Sequence, residues 1–325
     1  MTATPVPSRG GAPSRPGTPD LIAAATGVVV AALTAASPLA VQFGIYVING
    51  FALTTAVLAA GLALFVGVPG MGIATVPVQR LLLAAAVAAF AAALLTLPFA
   101  VMNVDGRGLV GLGDGLARDV ALRSGRYEGV LTRCAGAVMI VLALRTVGRP
   151  RLARGLQLAG AVLVVGSLLF TGHARTHGPL ALTLTCALLH AVAAAGWFGG
   201  VVGLGVALRS ARGDDAARLL AGFARWMTGV LVLLVAGGVG LALLCLSEPS
   251  GLVHTAYGQV LLVKLAVVGG VLVLSSANHR RLVPLAVRGR ADAVSALRLN
   301  VAVEQIGLLA VVLITDVLMR QNPGG

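Results

Sequence analysis

Charge is scarce in this chain. Asp, Glu, Lys and Arg together make 11% of its 325 residues, less than half the share of about 25% found in ordinary soluble domains. That scarcity excludes a water-soluble globular fold. Aromatic residues are scarcer still, at 4%, so helices here are expected to meet through small residues, of which 43 are glycine. Cysteine is limited to Cys134, Cys186 and Cys245. Each lies inside an apolar run, too scattered for a disulfide framework, and buried small hydrophobes are the plain reading of all three. No glycine loop with Lys and Ser or Thr behind it is present to cradle a phosphate, which argues against ATP coupling within this chain.

What the chain has instead is hydrophobic length. Apolar residues make up 58%, the mean hydropathy is +0.97, and several runs approach or exceed the roughly 20 residues needed to cross a bilayer. The expected fold is all-α, a polytopic transmembrane helix bundle of about nine spans: 21–40, 43–67, 80–102, 127–144, 152–170, 180–208, 223–246, 257–277 and 297–318. Residues 1–20, rich in Pro, Ser, Thr and Gly, read as a disordered cytoplasmic tail. Residues 21–320 read as one transmembrane domain. The run 21–40 is too long, too far from the start and too close to the next span for a signal peptide.

The formal charge of +13 is a topology signal rather than a mark of nucleic-acid binding, because the arginines sit in short turns between spans. Arg145, Arg149, Arg151 and Arg154, then Arg209, Arg212, Arg218 and Arg225, then Arg280, Arg281, Arg288, Arg290 and Arg298 occupy alternate loops. The positive-inside rule places them in the cytoplasm, with the amino terminus inside and the carboxyl terminus outside. In the opposite loop at 103–126 acids and arginines balance, and LVGLGDGLARDVALRSG reads as a helix lying on the outer leaflet.

Metal-capable side chains concentrate in the outer half under this orientation. His173, His177, His190 and His254 fall there, as do the three cysteines and Met102, while His279 lies in the cytoplasmic run NHRRLVP. Cys186 and His190 are four residues apart, and Trp197 follows seven later, so the three share roughly one helix face. Imidazole with thiolate suits Cu(I) or Zn. A single intramembrane histidine bonded to a backbone carbonyl is the plain alternative. Gly196, Gly199, Gly200 and Gly203 read as close helix packing.

An internal repeat is expected as well. SGRYEGVLTR at 124–133 resembles TAYGQVLLVK at 255–264, which sets a first repeat at about 43–147, a second at about 180–280 and a closing helix at 297–318. Arg133 and Lys264 then correspond. Both are expensive in a membrane without a counter-charge. Asp316 is the expected partner of Lys264, and Arg280 or Arg281 of Glu304.

Five stretches taken together resemble the copper resistance protein D family: GHA at 172–174, LLHAVAAAGWFGG at 188–200, TAYGQVLLVKL at 255–265, NHRRLVP at 278–284 and VAVEQIGLLAVVL at 301–313. The resemblance spans residues 170–318 and weakens before them. It implies an eight-span core, here with an extra amino-terminal helix, in a bacterial inner-membrane protein that moves copper from the periplasmic side inward and is not an enzyme. A small periplasmic copper-binding protein of the copper resistance protein C type is the implied partner, beside membrane lipid. The family's histidines carry over onto His173 and His190, with His177, Cys186, Met102 and His254 as supporting ligands for Cu(I) or Cu(II). Trp197, Gly199 and Gly200 follow as packing residues. The chain departs from the family pattern at Tyr127, where glycine is usual, and at Asp316, where the last helix is usually apolar. Two other functions share these residues: a b-type haem protein using His173 and His190, and an assembly factor that hands copper on without transporting it.

Overall fold

The computed structural model describes residues 38–67, 75–105, 112–146, 148–171, 178–211, 213–245, 250–288 and 290–321. Among them every regular element is helical. In chain order these are α1 (Pro38–Gly67), α2 (Val76–Asp105), the short α3 (Gly115–Leu122), α4 (Gly125–Arg145) and α5 (Pro150–Gly166), which a 3-10 turn (Ser167–Phe170) extends. Then come α6 (Leu180–Ser210), α7 (Gly213–Cys245), the one-turn α8 (Gly251–His254), α9 (Ala256–Ala277), a π turn (Asn278–Leu282), α10 (Val283–Val287) and α11 (Ala291–Leu318). Eight of the described helices are long and apolar enough to cross a membrane. The protein is an all-α polytopic membrane bundle. Those eight match the expected spans from residue 43 onward, most of them lengthened because helical hydrogen bonding continues past the apolar run into polar sequence. The expected tail, 1–20, and nearly all of the first expected span lie outside the described residues.

Helices α1 and α6 form the centre. In their most apolar stretches 78% and 67% of residues are buried, against 6% in the stretch Ala256–Ala286. Around them, α2 and α5 pack on α1, α7 packs on α6, α4 joins α2 to α5, and α11 touches both central helices and carries α9. Apolar side chains such as Val232, Val239 and Leu243 of α7 and Val263 and Val273 of α9 face outward. Such a surface suits lipid and not water.

The two central helices meet backbone to backbone. A Cβ on Gly199 would lie 2.5 Å from the Cα of Gly61, so only glycine on both sides permits the crossing. The few aromatics fill what the glycines leave. Phe65, Phe223 and Trp226 form a chain of tilted and edge-on rings at 6.5 and 5.9 Å, with Phe65 over Gly203 and Trp226 over Gly196 and Gly200. Trp197 is buried in the same core.

The expected surface helix is present as α3. Asp114 caps it by accepting the N–H groups of Leu116 (2.9 Å) and Ala117 (3.1 Å). Ala117 and Ala121 pack on Ala100 and Val101 of α2, while Leu116, Val120 and Leu122 stay exposed, an amphipathic arrangement suited to an interface.

The stretch NHRRLVP, expected to be a loop, is instead a π turn that continues α9. The wider turn brings Asn278 inside, where its amide donates to the Glu304 carboxylate and accepts from Asn300 Nδ2 (2.6 Å). Glu304 is therefore held by the Asn278 amide and the Ser275 hydroxyl and not by Arg280 or Arg281, both of which, with His279, are exposed. A π turn costs regular hydrogen bonding and is common at functional positions.

Replacing Gly199 with Ala forces the α1–α6 crossing apart and should cost about 1–3 kcal/mol. Gly229→Ala in α7, where a Cβ meets nothing within 4 Å, should be neutral or stabilising by up to about 1 kcal/mol. Thermal unfolding of the two variants in the same detergent measures the contrast.

Candidate metal centre

His190 lies ten residues into α6, about 15 Å along the helix at 1.5 Å per residue. Its Nδ1 is 3.0 Å from the carbonyl oxygen of Leu234 in α7. A carbonyl only accepts, so Nδ1 carries the proton and donates. The neutral ring then keeps its lone pair on Nε2. This is the arrangement that metal-ligating histidines adopt, with one nitrogen held by a backbone oxygen and the other free to coordinate. The two sequence readings of His190, a carbonyl-bonded ring and a ligand, are thus compatible in one side chain.

A glycine run in α7 makes the bond possible. A Cβ at Gly237 would stand 2.8 Å from the backbone nitrogen of His190 and 2.9 Å from the Cys186 carbonyl, and one at Gly238 would stand 3.0 Å from His190 Nδ1. One at Gly240 would stand 2.7 Å from Cys186 Sγ. Cys186 and His190, one turn apart on α6, are therefore seated side by side against a surface of bare backbone. Neither Leu234 nor this run figured in the sequence reading, although GGVG inside an apolar helix marks a close approach.

The other expected ligands are dispersed. Met102 is buried near the carboxyl end of α2, and His254 is exposed on α8. His173 and His177 lie outside the described residues. Among the described residues no three His, Cys, Asp or Glu side chains group closely enough to hold a metal ion. What the structure supplies is one oriented imidazole with a thiol one turn away.

The expected Lys264–Asp316 pair does not form. Asp316 binds Arg320 four residues on, at 2.8, 3.1 and 3.2 Å, and Arg320 also lies 4.3 Å above the ring of Tyr46. Residues four apart on one helix face meet without any helix having to move, whereas Lys264 is on α9, a separate helix, and its charge is felt at the His190 ring. Arg133 has no acid either. Its Nε donates to Ser167 Oγ at 3.0 Å, and Nη1 reaches the Ala52 carbonyl at 3.5 Å.

Fold and site together define a multi-pass membrane protein with a histidine and a cysteine poised in one helix interface. Residues 217–318, from α7 to the end of α11, match the family model CopD, copper resistance protein D. No curated protein and no solved structure matches the chain. The matched segment contributes Leu234, the glycines under His190, and Lys264.

A methyl at Gly238 displaces the His190 ring and weakens its bond to Leu234. A copper ion held by His190 should therefore bind about 10- to 100-fold more weakly in Gly238→Ala, the usual effect of losing the partner that orients a ligand. Titration with a competing Cu(I) chelator reads the affinity, and unfolding in parallel shows whether the bundle is intact.

Proposed function

We propose that this protein binds copper at an outer-half site built on His190 and Cys186, with His173 as a second imidazole, and carries the ion across the bacterial inner membrane toward the cytoplasm. The observation that carries this reading is the bond from His190 Nδ1 to Leu234, which leaves Nε2 free in a protein whose residues 217–318 match copper resistance protein D. Thiol and imidazole are soft and borderline ligands that favour Cu(I). The arginine-rich turns are cytoplasmic in this reading, so a cation moving inward gains about 2.3 kcal/mol per charge per 100 mV of membrane potential. No catalytic step is involved. A periplasmic copper-binding protein of the copper resistance protein C type would deliver the ion, and the two halves, about 43–147 and 180–280, are a repeat of one unit.

Lys264 opposes the cargo. Like charges repel, so a charged lysine whose field reaches the His190 ring favours release over retention. Lys264→Met should tighten copper binding by about tenfold or more and slow turnover in vesicles. Unchanged affinity would separate Lys264 from the site.

His190→Ala should lower copper affinity at least about tenfold, and His279→Ala should leave it unchanged. Equal losses would indicate general destabilisation. Copper uptake by proteoliposomes is expected for the wild type, and binding without uptake would assign the protein to copper handover instead. For orientation, single cysteines in place of His254 or Gln321, in a background without the native three, should react with an impermeant maleimide on intact cells. Those in place of Arg149 or Arg281 should react only after permeabilisation, and the reverse pattern would overturn the direction.

A further inference from the structure

At the end of the bundle opposite the arginine-rich turns, α1, α2, α4, the 3-10 turn after α5 and the end of α11 line a half-open cavity of about 170 Å³. Three guanidinium groups line it, from Arg126, Arg133 and Arg320, with one carboxylate, from Asp316. Asp316 is already engaged by Arg320 through both oxygens, so that pair is neutral. Arg133 uses two of its five N–H donors, one on Ser167 and one in a long contact to Ala52. Arg126 makes no hydrogen bond or ion pair with any described residue, and it faces the like charge of Arg320. Two uncompensated guanidinium groups thus share one cavity in an otherwise apolar bundle.

We propose that this cavity binds a small oxyanion between Arg126 and Arg133. Charges removed from water require a partner of opposite sign, and the planar fork of arginine matches the paired oxygens of carboxylate and phosphate. The cavity is smaller than the roughly 300–1,000 Å³ of sites for drug-sized ligands, which limits the occupant to an ion of a few heavy atoms or to the charged group of a larger molecule. The donor set fits a free phosphate and a phospholipid headgroup through the same chemistry. The site is separate from the His190–Leu234 interface and does not depend on the copper reading.

The test uses the full chain purified in a neutral detergent. Sodium phosphate, compared with sodium chloride at equal ionic strength, should raise the unfolding temperature with a saturable dependence on phosphate. In a second arm, phosphatidylglycerol replaces phosphatidylcholine in lipid nanodiscs. Stabilisation by phosphate assigns a free oxyanion, and stabilisation by phosphatidylglycerol alone assigns a lipid headgroup. In either case Arg126→Gln should weaken the effect by about tenfold or more. In chloride the same variant should be at least as stable as the wild type, because it removes a repulsion and no bond. Arg133→Lys, which keeps the charge and loses the fork, should weaken it too, and Arg149→Gln, exposed at the other end of the bundle, should leave it intact. No stabilisation in either arm, or an effect undiminished in both Arg126→Gln and Arg133→Lys, overturns the proposal.

Discussion

The crossing of α1 and α6 at Gly61 and Gly199 is the contact on which the other helices depend. In a bilayer the hydrophobic effect does not drive helices together, because lipid tails are as apolar as leucine. Association comes from close packing, which small residues permit. Backbone contact at this crossing positions α6, and α6 in turn seats α7 and touches α11. The same device recurs between α4 and α5, where a Cβ at Gly136 would stand 2.7 Å from the Gly160 carbonyl and one at Gly160 equally close to that of Gly136. It recurs again where the glycines of α7 lie under His190 and Cys186.

Several polar groups inside this framework are met by a small polar group, a backbone oxygen or a charge on the same helix. His190 bonds a backbone carbonyl, Arg133 a serine, Glu304 an asparagine, and Asp316 an arginine on its own helix. None of these partners is the long-range opposite charge that a tally of acids and bases suggests. A helix-to-helix ion pair in hydrocarbon needs both charges at one depth and on facing sides, and small polar groups and backbone oxygens meet that requirement far more often. Among the described residues Lys264 and Arg126 have no such partner, and Arg126 lines a pocket together with the like charge of Arg320.

The spans, the amphipathic α3 and the one-turn spacing of Cys186 and His190 were legible in the residues because each depends only on local hydrophobic length or helical period. The partners were not. Asp316 with Lys264 and Glu304 with Arg280 or Arg281 were reasoned from charge and depth alone, and depth does not say which way a side chain turns about its helix. The NHRRLVP stretch was misread for a related cause. Its charges suggest a loop, but the inward pull on Asn278 from Glu304 and Asn300 keeps it helical with one wider turn.

By itself the sequence determined that this is a membrane bundle, where its helices from residue 43 onward begin and end to within about three turns, and which side chains can bind a soft metal. These follow from transfer of apolar residues out of water and from the 3.6-residue period, which need no knowledge of neighbours. Only the tertiary structure decided which nitrogen of His190 is free, that Leu234 and two glycines of α7 hold it there, and that Arg126 and Arg133 share a cavity without enough acid. Those outcomes depend on how helices distant in sequence are rotated against one another, which is set by the sum of many small packing contacts and is written in no single segment.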